Sequence, residues 1–206
     1  MMRNSGPAPE AFMDIVGIFR LAPLSALPLS VAELHLFAYL ARIVSLFDGS
    51  PTAEWGYDFV VTGEGFPFSV ELDEARKTAV TLGLITETDE GEAQADAEAI
   101  AAEYDTLTRL SDLAKRSAWL KAAMACSLSL PSGTIRTAVN HSPGVMSASA
   151  VGQRRQLMQP MDVDTLYAQY RIVTQALGGQ DHGLLAPAVL WLSAYVMDQK
   201  IDAHAI

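Results

Sequence analysis

The sequence predicts a mainly α-helical protein, in which an N-terminal winged-helix-like unit is joined to a C-terminal helical domain. Apolar residues recur at helical spacing along most of the chain, and Gly and Pro punctuate the breaks between these stretches. One strongly acidic stretch, residues 86–105 with eight acidic and no basic residues, interrupts the pattern. We therefore predict a winged-helix-like domain at 1–85, an acidic linker at 86–100 and a helical bundle domain at 101–206.

The best-defined helix of the first half is predicted at Val31–Phe47. It begins with "SVAEL", in which Ser30 and Glu33 form a capping box, and it ends at the turn sequence "DGSP". Apolar residues recur every three or four positions between these two signals. A short helix at Glu10–Phe19 precedes it and is separated from it by the proline-containing loop "LAPLSALPLS".

The segment "EWGYDFVV" is compatible with two structures. The alternation of Trp55, Tyr57, Phe59 and Val61 favours a strand. Ser50 and Pro51 instead resemble the cap and the first position of a short helix. We favour the short helix, because it completes a helix-turn-helix unit with the next predicted helix.

That next helix is predicted over residues 70–82, after a turn at 62–68. Ser69 can cap it, and acidic residues follow in its first turn, where the helix dipole favours negative charge. Gly83 suits the left-handed position that commonly ends a helix. Residues 84–86 then predict the first strand of a wing.

The second half reads as a series of helices separated by Gly, Pro and Ser. The predicted helices lie, in order, at roughly 101–128, at 132–140, from Ser142–Gly144 to before Pro160, from Asp162 or Asp164 to Leu177, and from near Pro187 towards the C-terminus.

The composition is more apolar than that of a typical soluble chain. Half of the residues are hydrophobic and 18% are charged, against roughly 25% charged in an average chain. The surplus apolar surface suggests that a partner covers part of it. We expect no transmembrane helix and no secretory signal, and the single cysteine, Cys126, is consistent with a reducing cytoplasm.

No pattern in the sequence indicates a catalytic, metal or cofactor site. The four histidines are scattered, and none has a Cys, His, Asp or Glu at metal-ligand spacing. Cys126 lies in an apolar helix end, which is typical of a buried structural thiol. A nucleophile elbow and a phosphate-binding loop are both lacking from the sequence. We therefore expect no enzyme activity, no metal and no cofactor.

The helix over 70–82 is the candidate reading element for DNA, and its charges argue against that role. Arg76 and Lys77 are outweighed by Glu71, Asp73 and Glu74 at the N-terminal end, which enters the groove in most helix-turn-helix proteins. Phosphates would repel this end. We therefore predict that the unit contacts protein, with Arg76 among the contact residues.

Aromatic residues near turns and on the last helix are further candidates for partner contacts. Trp55 and Phe66 lie beside turns, and Trp191 and Tyr195 lie on the last predicted helix. Large aromatic side chains often anchor protein interfaces. The alternative, that these residues belong to the core, stays open for each of them.

The middle third of the chain is basic. Residues 106–160 carry seven basic residues and one acidic residue, whereas the whole chain has a net charge of −10. Lys115, Arg116, Arg154 and Arg155 are the candidate contacts to nucleic acid. A solvated basic face of the helices is an equally good explanation.

The sequence resembles the middle component of ABC three-component systems, the class that includes the middle subunit of Lamassu-type anti-phage complexes. The similarity spans most of the chain and rests on apolar spacing and a few aromatic residues. The matching stretches are "HLFAYLARIVSLFDG" (35–49), "EWGYDFVVTGEGFPFSVELDEA" (54–75), "LGLIT" (82–86), "LYAQYRIVTQALG" (166–178) and "LLAPAVLWLSAY" (184–195).

The resemblance implies a non-catalytic subunit that bridges an ABC-type ATPase related to the structural-maintenance-of-chromosomes (SMC) family and an effector subunit, which can be a nuclease. It implies contact with DNA only through the complex, and no membrane contact. No functional residue is carried over, because the resemblance contains no motif with an assigned role. The main alternative is a winged-helix transcription regulator, and a weaker one is an enzyme of unrecognised type.

Overall fold

The computed structural model describes residues 8–50, 52–63, 65–151, 155–178 and 182–204, and the protein is mainly helical, as predicted. The helices are α1 Pro9–Leu21, α2 Val31–Phe47, α3 Val70–Thr81, α4 Ala97–Leu107, α5 Ser111–Ser129, α6 Ser132–Asn140, α7 Pro143–Val151, α8 Pro160–Ala176 and α9 Leu185–His204. The strands are β1 Leu29–Ser30, β2 Val60–Val61, β3 Pro67–Phe68, β4 Ile85–Glu87 and β5 Glu92–Ala95.

Helix α2 forms the centre of the molecule, and its predicted limits are confirmed. The Ser30 hydroxyl accepts the Glu33 backbone N–H at 3.3 Å, and the Glu33 carboxylate accepts the Ser30 N–H at 3.0 Å. Every residue from Leu34 to Phe47 is buried. A helix that is apolar on all sides is stable only when neighbours surround it, and here α1, α5, α6, α8 and β3 pack around it.

Two small antiparallel sheets complete the fold. One has the strand order β1-β5-β4, with Leu29 opposite Ala93 and Thr86 opposite Gln94. The other is the β2–β3 hairpin, which the loop between α7 and α8 extends. In that extension the Val61 N–H donates to the carbonyl of Arg155 at 3.1 Å, so the two halves of the chain share backbone hydrogen bonds.

The segment predicted as an acidic linker contains ordered structure. Residues 86–100 form most of the β4–β5 hairpin and the start of α4, whose N-cap Asp96 accepts the Ala99 N–H at 2.9 Å. Ala93 is buried in this hairpin. Because alanine has a short side chain and its neighbours in the sequence are acidic, this burial could not be predicted. Buried residues on both sides of the segment belong to one core cluster. The division into domains stays a prediction.

The long helix predicted over 101–128 is two helices, α4 and α5. The break lies at Thr108–Leu110, where the Thr108 hydroxyl donates to the Tyr104 carbonyl at 2.9 Å. Threonine competes in this way for backbone carbonyls and so favours helix ends. The break lets both helices pack against α1.

The ambiguous segment before α3 forms a 3₁₀ turn at Thr52–Trp55, and its last two residues, Val60–Val61, form strand β2. The alternating Trp55, Tyr57 and Phe59 are all buried along an irregular stretch, so the alternation reflects burial. Pro51 lies outside the described residues. Helix α3 has the predicted Ser69 cap, and Gly83 has φ +72° as predicted.

Candidate partner-docking surface

An apolar groove lies between α8 and α9. It has a volume of about 480 Å³. The residues that line it are Gln169, Ile172 and Val173 from α8 and Trp191, Ala194, Tyr195 and Met197 from α9. The groove therefore brings together Trp191 and Tyr195, two of the predicted partner contacts.

Aromatic contacts fix the floor of the groove to the central helix. The rings of Phe47 and Tyr170 stack with centroids 4.7 Å apart, and the Trp191 ring meets Phe47 edge-on at 6.1 Å. Trp191 in turn meets Tyr195 edge-on at 5.1 Å. Edge-to-face and offset pairs of this kind are favourable geometries for aromatic rings. The floor of the groove is thus continuous with the core.

Gln169 satisfies the polar atoms inside the groove. The Trp191 indole N–H donates to Gln169 Oε1 at 2.9 Å, and Gln169 Nε2 donates to the Tyr195 hydroxyl oxygen at 2.7 Å. Gln169 of α8 thus connects to both aromatic side chains of α9 by hydrogen bonds. Because these polar groups bond to one another, the groove can accept apolar atoms without leaving them unpaired.

The rim of the groove is exposed and apolar. Ile172 and Met197 are 66% and 67% exposed, whereas Trp191 is almost completely buried. Exposed apolar residues that cluster at a concave surface are typical of an interaction site, and methionine adapts its shape to different partners. The arrangement is suited to binding apolar side chains.

The other predicted partner contacts lie elsewhere. Trp55 is buried, and Phe66 is partly buried at a second cleft of about 260 Å³ beside Glu33, Glu92 and Arg136. The Glu33 carboxylate in that cleft is already bonded to Ser30. The structure therefore does not bring Trp55 and Phe66 to the α8–α9 groove.

Arg76 is engaged on its own helix and with the hairpin. It donates to Asp73 at 2.9 Å, and it also forms an ion pair with Glu87. Lys77 lies 2.6 Å from the same Asp73 carboxylate. Burial alone would raise the pKa of Asp73, but the hydrogen bonds from Lys77 and Arg76 outweigh it and lower the pKa.

The predicted nucleic-acid contacts do not form one exposed patch among the described residues. Lys115 is exposed, Arg116 is buried, and Arg155 is one-third exposed and bonded to Asp162 at 3.2 Å. Arg154 lies outside the described residues. Arg116 is therefore an internal cation, and its guanidinium contacts protein groups.

A buried polar cluster surrounds Arg116, and it was not predicted from the sequence. Arg116 Nε donates to Asp14 at 2.8 Å, another of its nitrogens donates to the Trp55 carbonyl at 2.9 Å, and the Tyr57 hydroxyl also donates to Asp14. The Arg116 guanidinium lies 3.9 Å from the Trp55 ring centroid. A lone aspartate in the apolar stretch of α1 was the available signal.

The charges in this cluster shift the pKa values of its members. Burial would lower the pKa of Arg116, but the adjacent Asp14 carboxylate outweighs burial and raises it. Burial, followed by Asp14, raises the pKa of Tyr57. Arg116 therefore stays charged and Tyr57 stays neutral. Both side chains then have a structural role, which is to hold the segment between α2 and α3 against α1 and α5.

His35 and Cys126 are also buried. His35 Nδ1 accepts the Ser69 N–H at 3.1 Å, and its ring packs on Phe68 at 4.4 Å. Burial lowers the pKa of His35 to about 4, so the ring is neutral near pH 7. Burial raises the pKa of the Cys126 thiol to about 12, as befits the predicted structural thiol.

Among the described residues, no three His, Cys, Asp or Glu side chains are arranged to hold a metal ion. None of the described helices combines the length and the apolarity that crossing a bilayer requires. Comparison with models of protein families, with curated proteins and with solved structures gave no match for this chain.

Proposed function

We propose that this protein is a non-catalytic bridging subunit of an SMC-like ABC ATPase complex for anti-phage defence. In this function it couples the ATPase, and the sensing of DNA by the complex, to an effector subunit such as a nuclease. The complex acts in the cytoplasm, without membrane contact. The identity of the partners rests on the sequence resemblance, and the α8–α9 groove is the observation that carries a binding role.

The groove fits one kind of partner segment. Its volume of about 480 Å³ suits a few large apolar side chains, and its length follows two packed helices. An amphipathic helix of the ATPase or effector, with apolar residues on one face, is the expected occupant. Trp191 at the floor and Tyr195 at the wall provide the aromatic contacts that such an interface favours.

The order of helices and strands in the first half of the chain supports the winged-helix-like assignment. Elements α1, β1, α2, α3, β4 and β5 follow in that order, and the sheet order β1-β5-β4 makes the β4–β5 hairpin the counterpart of a wing. The same order is what favours the second candidate function, a winged-helix transcription regulator.

The charges of α3 favour protein contact over DNA reading. Both of its basic side chains, Arg76 and Lys77, are bonded to Asp73. Cations that are paired with carboxylates release few counterions from DNA, so they contribute little to affinity. Glu71 and Glu74 add further negative charge to the helix.

The first test is whether a gene for a coiled-coil ABC ATPase neighbours the gene of this protein, and the second is co-expression of the two proteins. We expect a stable complex, measured by calorimetry, that Met197→Asp weakens by about tenfold or more, because the carboxylate must be desolvated in the groove. Leu128→Asp is the matched control, since Leu128 is 68% exposed on α5. Failure to bind the ATPase, or equal effects of the two substitutions, contradicts the proposal.

The regulator alternative has its own measurement. The isolated protein would have to bind a specific duplex tightly, with an affinity that falls steeply as salt is added. Such binding, reduced by removing Lys77, would replace the bridging function by transcription regulation.

A further inference from the structure

The exposed face of α8 is complementary to itself. We infer that two copies of this chain pair through antiparallel α8 helices, about a two-fold axis that passes beside Ala168. This interface shares Ile172 with the groove proposed for the ATPase or effector and otherwise uses other residues of α8. It rests on the spacing and exposure of residues along α8.

The solvent face of α8 is continuous. Its exposed residues are Met161, Asp164, Thr165, Ala168, Arg171, Ile172, Gln175 and Ala176. At 3.6 residues per turn these positions cover an arc of about 140° with Ala168 at its centre. The opposite side packs into the protein through Leu166 and Val173, among others. The direction in which α8 can meet a second copy is therefore fixed.

The charges on this face match those of an antiparallel copy. Asp164 and Arg171 are seven residues apart, so they lie about 10 Å apart along the axis and within about 20° around it. Their midpoint lies within one residue of Ala168. A two-fold axis at that point, perpendicular to the helices, places Asp164 of each copy level with Arg171 of the other. One contact thus creates two equivalent ion pairs, as isologous interfaces do.

The apolar residues follow the same symmetry. Met161 and Ile172 are 78% and 66% exposed. In the antiparallel register, Ile172 of one copy lies level with the gap between Met161 and Thr165 of the other, which is a knob-into-hole arrangement. Ala168, the smallest side chain at the crossing point, allows the two backbones to approach closely.

The net charge of the molecule makes this face the favourable one. The whole chain carries −10, so most pairs of its surfaces repel each other. The α8 face has one exposed carboxylate and one exposed guanidinium, and neither Asp164 nor Arg171 forms an ion pair with another described residue. Among the described residues, no ion pair therefore competes with a second copy for these two charges.

Pairing covers Ile172, at one edge of the partner groove, and leaves the rest of the groove open. The groove begins at Ile172 and continues to Gln169 and Val173, on the flank of α8 opposite Asp164 and Arg171. A two-fold axis perpendicular to the helices keeps both grooves on one side of the pair. A dimer of this kind would present two docking grooves in the same direction.

Charge exchange tests the pairing. Sedimentation equilibrium from micromolar to near-millimolar protein should show a monomer–dimer equilibrium. Asp164→Arg or Arg171→Asp should each raise the dimer dissociation constant by about tenfold, because each turns both ion pairs into repulsions. The double variant Asp164→Arg/Arg171→Asp should restore dimerisation. Asp105→Arg and Lys121→Asp are matched controls, since both residues are exposed on other helices.

Disulfide trapping tests the register. Ala168→Cys lies beside the axis and should form an intermolecular disulfide under mild oxidation, whereas Arg109→Cys should not. The inference is overturned by a monomer at every concentration, by a dimer that resists both charge reversals, or by failure of the double variant to restore pairing. Each of these outcomes leaves the test of ATPase binding by the monomer unaffected.

Discussion

Asp14 of α1 and Arg116 of α5 form an ion pair in which both side chains are almost completely buried, at 0% and 3% exposure. The two residues are 102 positions apart in the chain. Every polar atom of the Asp14 carboxylate is bonded, because Tyr57 donates to it as well. A buried pair of this kind adds little stability compared with apolar residues, but breaking it is costly.

Arg116→Ala should therefore lower the free energy of unfolding by about 3–5 kcal/mol, since it removes the cation that pairs with the buried Asp14 carboxylate. Denaturant unfolding measures this change. Lys77→Ala is the control: Lys77 is 64% exposed beside Asp73, and its loss should cost at most about 1 kcal/mol. Equal effects of the two substitutions would show that the buried Asp14–Arg116 pair matters no more for stability than an exposed ion pair.

The pKa of His35 predicts a pH-dependent loss of stability in mild acid. The folded pKa is about 4 and the ordinary value is 6.5. The unfolded chain therefore gains the proton first as the pH falls, so the contribution is complete above pH 6.5 and is lost between 6.5 and 4, at up to about 1.4 kcal/mol per pH unit. Asp73 and Arg76 face the ring with opposing effects on its pKa.

Unfolding curves at several pH values between 4 and 7 test this prediction. His35→Gln keeps an acceptor for the Ser69 N–H and should flatten the profile in that range. A profile that keeps its slope in His35→Gln would assign the pH dependence to another group.

Two glycines without close neighbours should respond in opposite directions to alanine. Gly83 has φ +72°, whereas Gly133 lies in α6, and a Cβ at either position meets nothing within 4 Å. Gly83→Ala should cost about 1 kcal/mol, because L residues disfavour the left-handed conformation. Gly133→Ala should stabilise by up to about 1 kcal/mol. Melting temperatures of both variants check the sign of each change.

The capping box of α2 predicts a local loss. Ser30→Ala should destabilise the protein by about 1 kcal/mol, because the Glu33 N–H loses its acceptor at the start of the central helix. Ser147→Ala on the exposed face of α7 is the control and should change stability by only a few tenths of that amount. Thermal unfolding of the two variants distinguishes a cap contribution from a general effect of removing serine.

The sequence predicted those helix limits that are determined by residues next to them in the chain. The limits of α2 follow from Ser30, Glu33 and the turn at Asp48, which are all adjacent to it, and those limits are confirmed. The Ser69 cap and the left-handed Gly83 are further examples. Capping and turn chemistry act over a few residues, so a single sequence contains them.

Elements that depend on distant residues could not be read from the sequence. The acidic hairpin β4–β5 is ordered through pairing with β1, whose Leu29 lies opposite Ala93. Arg116 is buried because Asp14, Tyr57 and the Trp55 carbonyl surround it. The groove itself was not predicted. Trp191 and Tyr195 were named as candidate partner contacts, whereas Ile172 and Gln169 become part of the groove only through the packing of α8 on α9.

The dependence of the segment between α2 and α3 on later residues has a consequence for biosynthesis. Its Tyr57 and Trp55 are held by Asp14 and Arg116, and its strand β2 is held by the backbone at Arg155. A ribosome adds residues at about 5–20 per second, so roughly 100 residues of further translation, or about 5–20 s, separate the first of these contacts from the last. During that interval Trp55 and Tyr57 lack part of their native contacts, and their exposure can make the nascent chain aggregate. A chaperone that covers these residues is expected to raise the yield of folded protein.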